Sequence, residues 1–122
     1  MHELGITQGI IDRARAAAED AGAVRVRRLY LTMTPAADFT QESIEMYFEM
    51  LAGEDELFRG AELEFVWGEA GATCLECGRM LATSEPGAAC PGCGGHQLRF
   101  SSEAPMIQLT GIDVVEPGDE GE

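Results

Sequence analysis

Cys74-Leu75-Glu76-Cys77-Gly78 and Cys90-Pro91-Gly92-Cys93-Gly94 decide how this chain is read. Twelve residues, Gly78 to Ala89, separate the two pairs, and all 4 cysteines of the protein lie in them. Two C-x2-C pairs, each on its own tight turn, place four thiolates at the corners of a tetrahedron, the arrangement zinc takes in closed structural sites. Gly78 and Gly94 follow the second cysteine of each pair, where the backbone turns sharply and calls for positive φ. N–H groups exposed in such turns point at the sulfurs and offset their charge. Pro91 presets one dihedral of the second turn. Two disulfides are a rival reading, and iron held by the same thiolates is another. Disulfide frameworks belong to oxidising compartments. Met1 to Gln8 has no basic start and no apolar run of signal-peptide length, so a cytoplasmic protein with zinc on the four cysteines is expected. His96, just past Cys93, reads as a solvated loop histidine.

Charge narrows the function classes. The 122 residues carry 22 acidic side chains against 8 arginines and no lysine, a net charge of −14. Nucleic-acid binding rests on Lys and Arg neutralising phosphates, so the field has the wrong sign for a zinc ribbon that grips DNA or RNA. It suits a basic protein partner or a cation. The hydrophobic share of 45% is that of a globular chain, and no stretch approaches the ~20 apolar residues of a membrane span.

Around the cysteine motifs the elements follow from periodicity. Leu4 to Ala21 reads as a helix, with Ile6, Ile10, Ala14, Ala17 and Ala21 on one face, a polar stripe opposite, and Gly22 as its stop. Val24 to Met33 reads as a strand interrupted by Arg25, Arg27 and Arg28. Thr40 caps a second helix whose first turn is acidic. Ile44, Tyr47, Phe48 and Leu51 form its apolar stripe, and Met46 and Met50 a narrower one expected to fill core space. Leu63, Phe65 and Trp67 alternate with Glu62 and Glu64 as a half-buried strand. Gly68 to Gly71 reads as a hinge. Met106 to Val115 is a last strand whose apolar phase shifts at Gly111, a bulge signal. The tail from Glu116 has the composition of disorder.

The fold expected is α+β: a small three-stranded sheet covered by two helices, with a four-cysteine zinc-ribbon module inserted into it. The boundaries follow as 1–70 for the first part of the main domain, 71–103 for the zinc module, 104–116 for the returning strand and 117–122 for the acidic tail. A module of that size cannot fold on a hydrophobic core alone, and structural zinc supplies about 10–16 kcal/mol in isolated fingers.

Met1-His2-Glu3 offers a second set of donors. The α-amine, the backbone nitrogen of His2 and its imidazole can close small chelate rings on one ion, with a further amide or the Glu3 carboxylate beside them. Nitrogen-rich tetragonal sites suit Ni(II) and Cu(II), and a neutral imidazole is needed, so affinity should fall as pH drops through about 6.5.

Met1-His2-Glu3-Leu4 opening a helix, Gly60-Ala61-Glu62-Leu63 entering a strand, and the two cysteine knuckles together resemble the HypA family, from Met1 to about Val115. The resemblance implies a nickel metallochaperone for hydrogenase maturation rather than an enzyme. It implies that His2 binds nickel, that Glu3 contributes at the same site through its backbone nitrogen, and that Cys74, Cys77, Cys90 and Cys93 hold a structural zinc. A maturation GTPase and the precursor of the hydrogenase large subunit are the implied partners, with no nucleic acid and no membrane. Where the family commonly has Gly-x-Leu-Ser, this chain has Thr32-Met33-Thr34-Pro35, and Asp38 is the nearest match to an acidic residue some members place near nickel. The rivals from other classes are a rubredoxin-like iron electron carrier and a zinc-ribbon interaction module.

Overall fold

The computed structural model describes residues 3–118. Nine elements follow in order among them: helix α1 (Glu3–Asp20), strand β1 (Arg25–Met33), helix α2 (Gln41–Ala52), a short 3-10 turn (Glu56–Phe58), β2 (Glu62–Trp67), β3 (Ala70–Cys74), β4 (Met80–Thr83), β5 (Leu98–Phe100) and β6 (Ile107–Val115). They make two three-stranded sheets, in the orders β2-β1-β6 and β4-β3-β5. By its contacts the chain divides into two units. The first holds residues 1–31, 39–65 and 109–122, and the second holds 32–38 and 66–108.

In the first unit, β1 is the middle strand and its side chains sort by face. Val26, Leu29 and Leu31 are fully buried, and α1 and α2 pack on each other. The spacing from Val26 to Leu29 breaks strict alternation, which is how the strand accommodates Arg27 and Arg28. On the open face Arg28 pairs with Glu62 at 2.9 Å, and Tyr30 donates its hydroxyl to Asp113 at 2.6 Å. That bond raises the Tyr30 pKa, because a carboxylate accepting the phenolic proton favours the neutral phenol. Val24 N–H donates to Val115 C=O at one end of the β1–β6 pair. Helix α2 lies in the connection between β1 and β2.

Helix α1 buries Thr7, Ile10, Ile11, Ala14 and Ala18. The apolar stripe therefore corrects the expected one: Ala17 and Ala21 are exposed and Ala18 is inside. An alanine-rich helix carries too little contrast between faces for periodicity to choose the buried one, and Thr7 satisfies itself inside by donating to Glu3 C=O at 2.7 Å. Gly22 follows the helix at φ 69°. Arg15 holds α1 to the turn after α2, with its guanidinium 2.5 Å from Asp55 and 5.4 Å from the Phe58 ring centroid. This pairing, with a backbone N–H from Leu57, holds the Asp55 carboxyl below its usual range.

Thr40 caps α2: its hydroxyl accepts from Ser43 N–H at 3.1 Å. Ile44, Phe48 and Ala52 are buried, and Phe48 meets Phe58 edge-on at 5.8 Å. Met46 and Met50 correct a second expectation, being 52% and 64% exposed rather than core filler. Leu51, also expected inside, is exposed.

In the second unit, β3 is central. Ala70–Thr73 pair antiparallel with β4, from Ala70 opposite Thr83 to Thr73 opposite Met80, and Ala72–Cys74 pair with β5. Gly71, read as part of a hinge, stands opposite Ala82 inside this ladder, and Gly68 N–H donates to Met33 C=O at 2.8 Å. Thr34 is 3% exposed; its hydroxyl donates to Pro105 C=O and accepts from Ala36 N–H. These bonds fix the turn that follows β1.

Replacing Thr40 with Ala removes the acceptor for an N-terminal N–H of α2 and should cost about 1 kcal/mol. A lower urea midpoint with an unchanged m-value is the expected result.

Candidate metal centre

The sheet β4-β3-β5 delivers the first cysteine pair from its central strand. Cys74 is the last residue of β3, where its N–H donates to Arg79 C=O at 2.8 Å and Gly78 N–H returns to Cys74 C=O at 2.9 Å. The second pair repeats this turn: Cys90 N–H donates to Gly95 C=O at 2.7 Å, and Gly94 N–H to Cys90 C=O at 2.8 Å. Gly78 and Gly94 have φ of 82° and 77°, which L side chains rarely adopt. Each turn also aims a backbone N–H at its first sulfur: Glu76 N–H lies 3.4 Å from Cys74 Sγ and Gly92 N–H 3.3 Å from Cys90 Sγ.

The four sulfurs converge. Cys74 Sγ is 3.6 Å from Cys93 Sγ and Cys77 Sγ is 3.6 Å from Cys90 Sγ, with all four within 4.8 Å of one another. None is in a disulfide. A tetrahedral ion at the usual metal–sulfur distance of about 2.3 Å separates its sulfurs by about 3.8 Å, so the donors present fit a four-coordinate thiolate site.

The electrostatics say what that site needs. Backbone N–H groups of Cys93 and Gly92 lower the Cys90 thiol to about 7. Cys93 is pushed up to about 12: Gly95 N–H favours its thiolate, but Cys74 and Cys77 beside it outweigh that. Cys77 is likewise raised, its Arg79 backbone contact overridden by Cys90 and by burial. One thiolate is accommodated readily, and further negative charge at this spacing requires a cation in the middle.

Arg79 is a residue that spacing alone did not single out. It lies over the second turn, where a methyl group at Gly92 would sit 3.1 Å from its Cδ. The guanidinium thereby stands beside the sulfur cluster, as suits a site that stays anionic when filled. His96 is exposed, and its Nδ1 lies 3.2 Å from Gly87 C=O. Among the described residues the one metal-ligating group is the four cysteines.

Of the amino-terminal candidates, Met1 and His2 lie outside the described residues. Glu3 opens α1 and is half-buried. Asp38 is exposed. No described helix is long and apolar enough to cross a membrane.

The sequence model of HypA, described as hydrogenase/urease nickel incorporation, metallochaperone, matches residues 1–112. This chain belongs to the HypA family. It is 32% identical over 114 residues to the hydrogenase maturation factor HypA of Aeromonas hydrophila, covering 93% of this chain and 99% of the relative. It is 36% identical over 101 residues to the same factor of Azotobacter vinelandii, covering 83% and 88%. The solution structure of the Ni metallochaperone HypA from Helicobacter pylori shares the fold, with a TM-score of 0.65 over 95% of this chain and 99% of that one at 15% identity. The α+β class with two helices and small sheets is thus that of the HypA structures. The family is one of metallochaperones and maturation factors, not of enzymes.

Metal loading must displace the thiol protons, so it should release protons to the medium. It should weaken throughout as pH falls, because Cys77 and Cys93 hold their protons more tightly than usual, and more steeply below about 7, where Cys90 also takes up its proton. A competition titration against a chromophoric chelator at pH 6 and pH 8 checks the direction. Alkylation of the 4 thiols should be slow in the loaded protein and fast after chelation.

Proposed function

We propose that this chain carries Ni(II) at its amino terminus and delivers it during maturation of a nickel–iron hydrogenase, with a structural zinc on Cys74, Cys77, Cys90 and Cys93. The observation that carries the reading is the HypA match across residues 1–112, a span that includes both the Met1-His2-Glu3 donors and the four cysteines.

The chemistry of each donor set supports the division of labour. Four sulfurs backed by N–H groups make a closed site with no open position for exchange, which suits structural zinc. At the other site the imidazole of His2, the backbone nitrogens of His2 and Glu3 and the α-amine make a planar nitrogen set, which suits Ni(II). Glu3 is in the first turn of α1, where the positive end of the helix dipole favours the loss of an amide proton. The bond from Thr7 to Glu3 C=O holds that turn in place. An ion bound there leaves by ligand exchange. Residues 71–103 then form a zinc module within the nickel-binding domain of residues 1–70 and 104–116. A maturation GTPase and the precursor of the hydrogenase large subunit are the partners in the cytoplasm.

Nickel titration of the wild type against His2→Ala, with zinc measured on both, tests the assignment. His2→Ala should lose at least tenfold in nickel affinity, a deficit of about 1.4 kcal/mol or more, and keep its zinc. An extra residue ahead of Met1 should do the same by replacing the amine with an amide. Equal nickel binding in wild type and His2→Ala would sink the amino-terminal site.

A further inference from the structure

Strand β2 lies at the edge of the sheet β2-β1-β6, so its outward backbone N–H and C=O groups have no neighbouring strand among the described residues. Beside that edge is a cavity of about 390 Å³ lined by Glu45, Phe48, Glu49, Ala61, Glu62, Leu63 and Glu64. Side chains of a strand alternate between its two faces. Four consecutive residues, Ala61 to Glu64, therefore line one cavity only along the strand's edge. Glu45, Phe48 and Glu49 are one turn of α2 apart and form the other wall. The cavity is a groove between a helix and an open strand, the shape in which extended peptides are bound by adding a strand to a sheet.

Its chemistry selects the occupant. Four of the lining side chains are carboxylates, and two of them share one cationic partner, Arg28, which is 2.9 Å from Glu62 and 3.9 Å from Glu64. Glu45 and Glu49 are exposed and have no ion pair among the described residues. Phe48 and Leu63 supply apolar floor between them. A second copy of the chain is disfavoured here, because pairing two β2 edges sets Glu62 and Glu64 against like charges. Carboxylates on an edge strand guard against self-association in this way, and the same charges favour a cationic strand.

We propose that the groove between α2 and the β2 edge binds an extended, arginine- or lysine-bearing segment of a partner protein as a fourth strand of the sheet. Backbone hydrogen bonds to β2 hold the segment, Glu45 and Glu49 pair with its cationic side chains, and Phe48 and Leu63 take the intervening apolar ones. None of the residues lining the groove is among the candidate metal donors.

The test uses the full chain with its metal bound and a synthetic peptide alternating arginine with valine, followed by amide NMR at moderate salt. Shift changes should concentrate at Ala61–Phe65 and Glu45–Glu49. Methylating alternate peptide nitrogens leaves the charge unchanged but removes strand hydrogen bonds, and should weaken binding about tenfold or more. The Glu45→Gln/Glu49→Gln variant should weaken it several-fold with its helical circular dichroism intact, and a glutamate–valine peptide should not bind. The proposal is overturned by equal affinity for the methylated peptide, by shifts spread over the whole acidic surface, by no binding, or by a dimer through β2 that the peptide does not displace.

Discussion

The sheet β4-β3-β5 has almost no hydrophobic interior, and the convergence of four sulfurs is what closes it. Of the residues in and around its strands, Ala70, Ala72, Cys74 and Cys90 are the buried apolar ones between Val66 and Gln108. Two alanines and two thiols bury little apolar surface, too little to fold a module of this size on its own. Ligation has to make up the difference, as in other small metal-folded modules. The hydrogen bonds of the two turns are arranged around that need, each holding its backbone so that one N–H faces a sulfur.

The helical unit solves the same problem in the ordinary way. Val26, Leu29, Leu31, Ile10, Ile11, Ile44, Phe48 and Phe58 are all buried, and no ion is needed to hold them. This difference in what stabilises each unit is in keeping with the proposal that one metal is permanent and another is cargo. The cysteine cluster itself is only half enclosed, with Cys74 and Cys90 buried and Cys77 and Cys93 exposed, so what closes it is a full set of four donors. The acidic surface adds a third feature. A net charge of −14 disfavours nucleic acid and favours basic segments.

Several parts of this architecture were legible without coordinates because their causes are local. C-x2-C-G requires a tight turn with positive φ at the glycine, and Gly78 and Gly94 adopt it. Thr40 caps α2 because a hydroxyl at that position reaches an N–H three residues on, whatever surrounds it. The alternation of Leu63 and Phe65 with glutamates marks β2 for the same kind of reason. The short strands β4 and β5 were not foreseen, since Met80–Thr83 and Leu98–Phe100 are too brief for a period to register and exist only by pairing with β3.

By itself, then, the chain's order of residues determined the helices, the main sheet's strands, the cysteine turns and the charge, because each depends on neighbours in sequence or on composition. Only the tertiary structure decided which stripes were buried. Ala18 went inside in place of Ala17, and Met46 and Met50 stayed outside, because a helix face is chosen by what packs against it. The groove beside β2 belongs to the same class of fact. Glu45 and Glu49 come into line with Glu62 and Glu64 only once α2 is brought beside β2, and no periodicity along the chain records that approach.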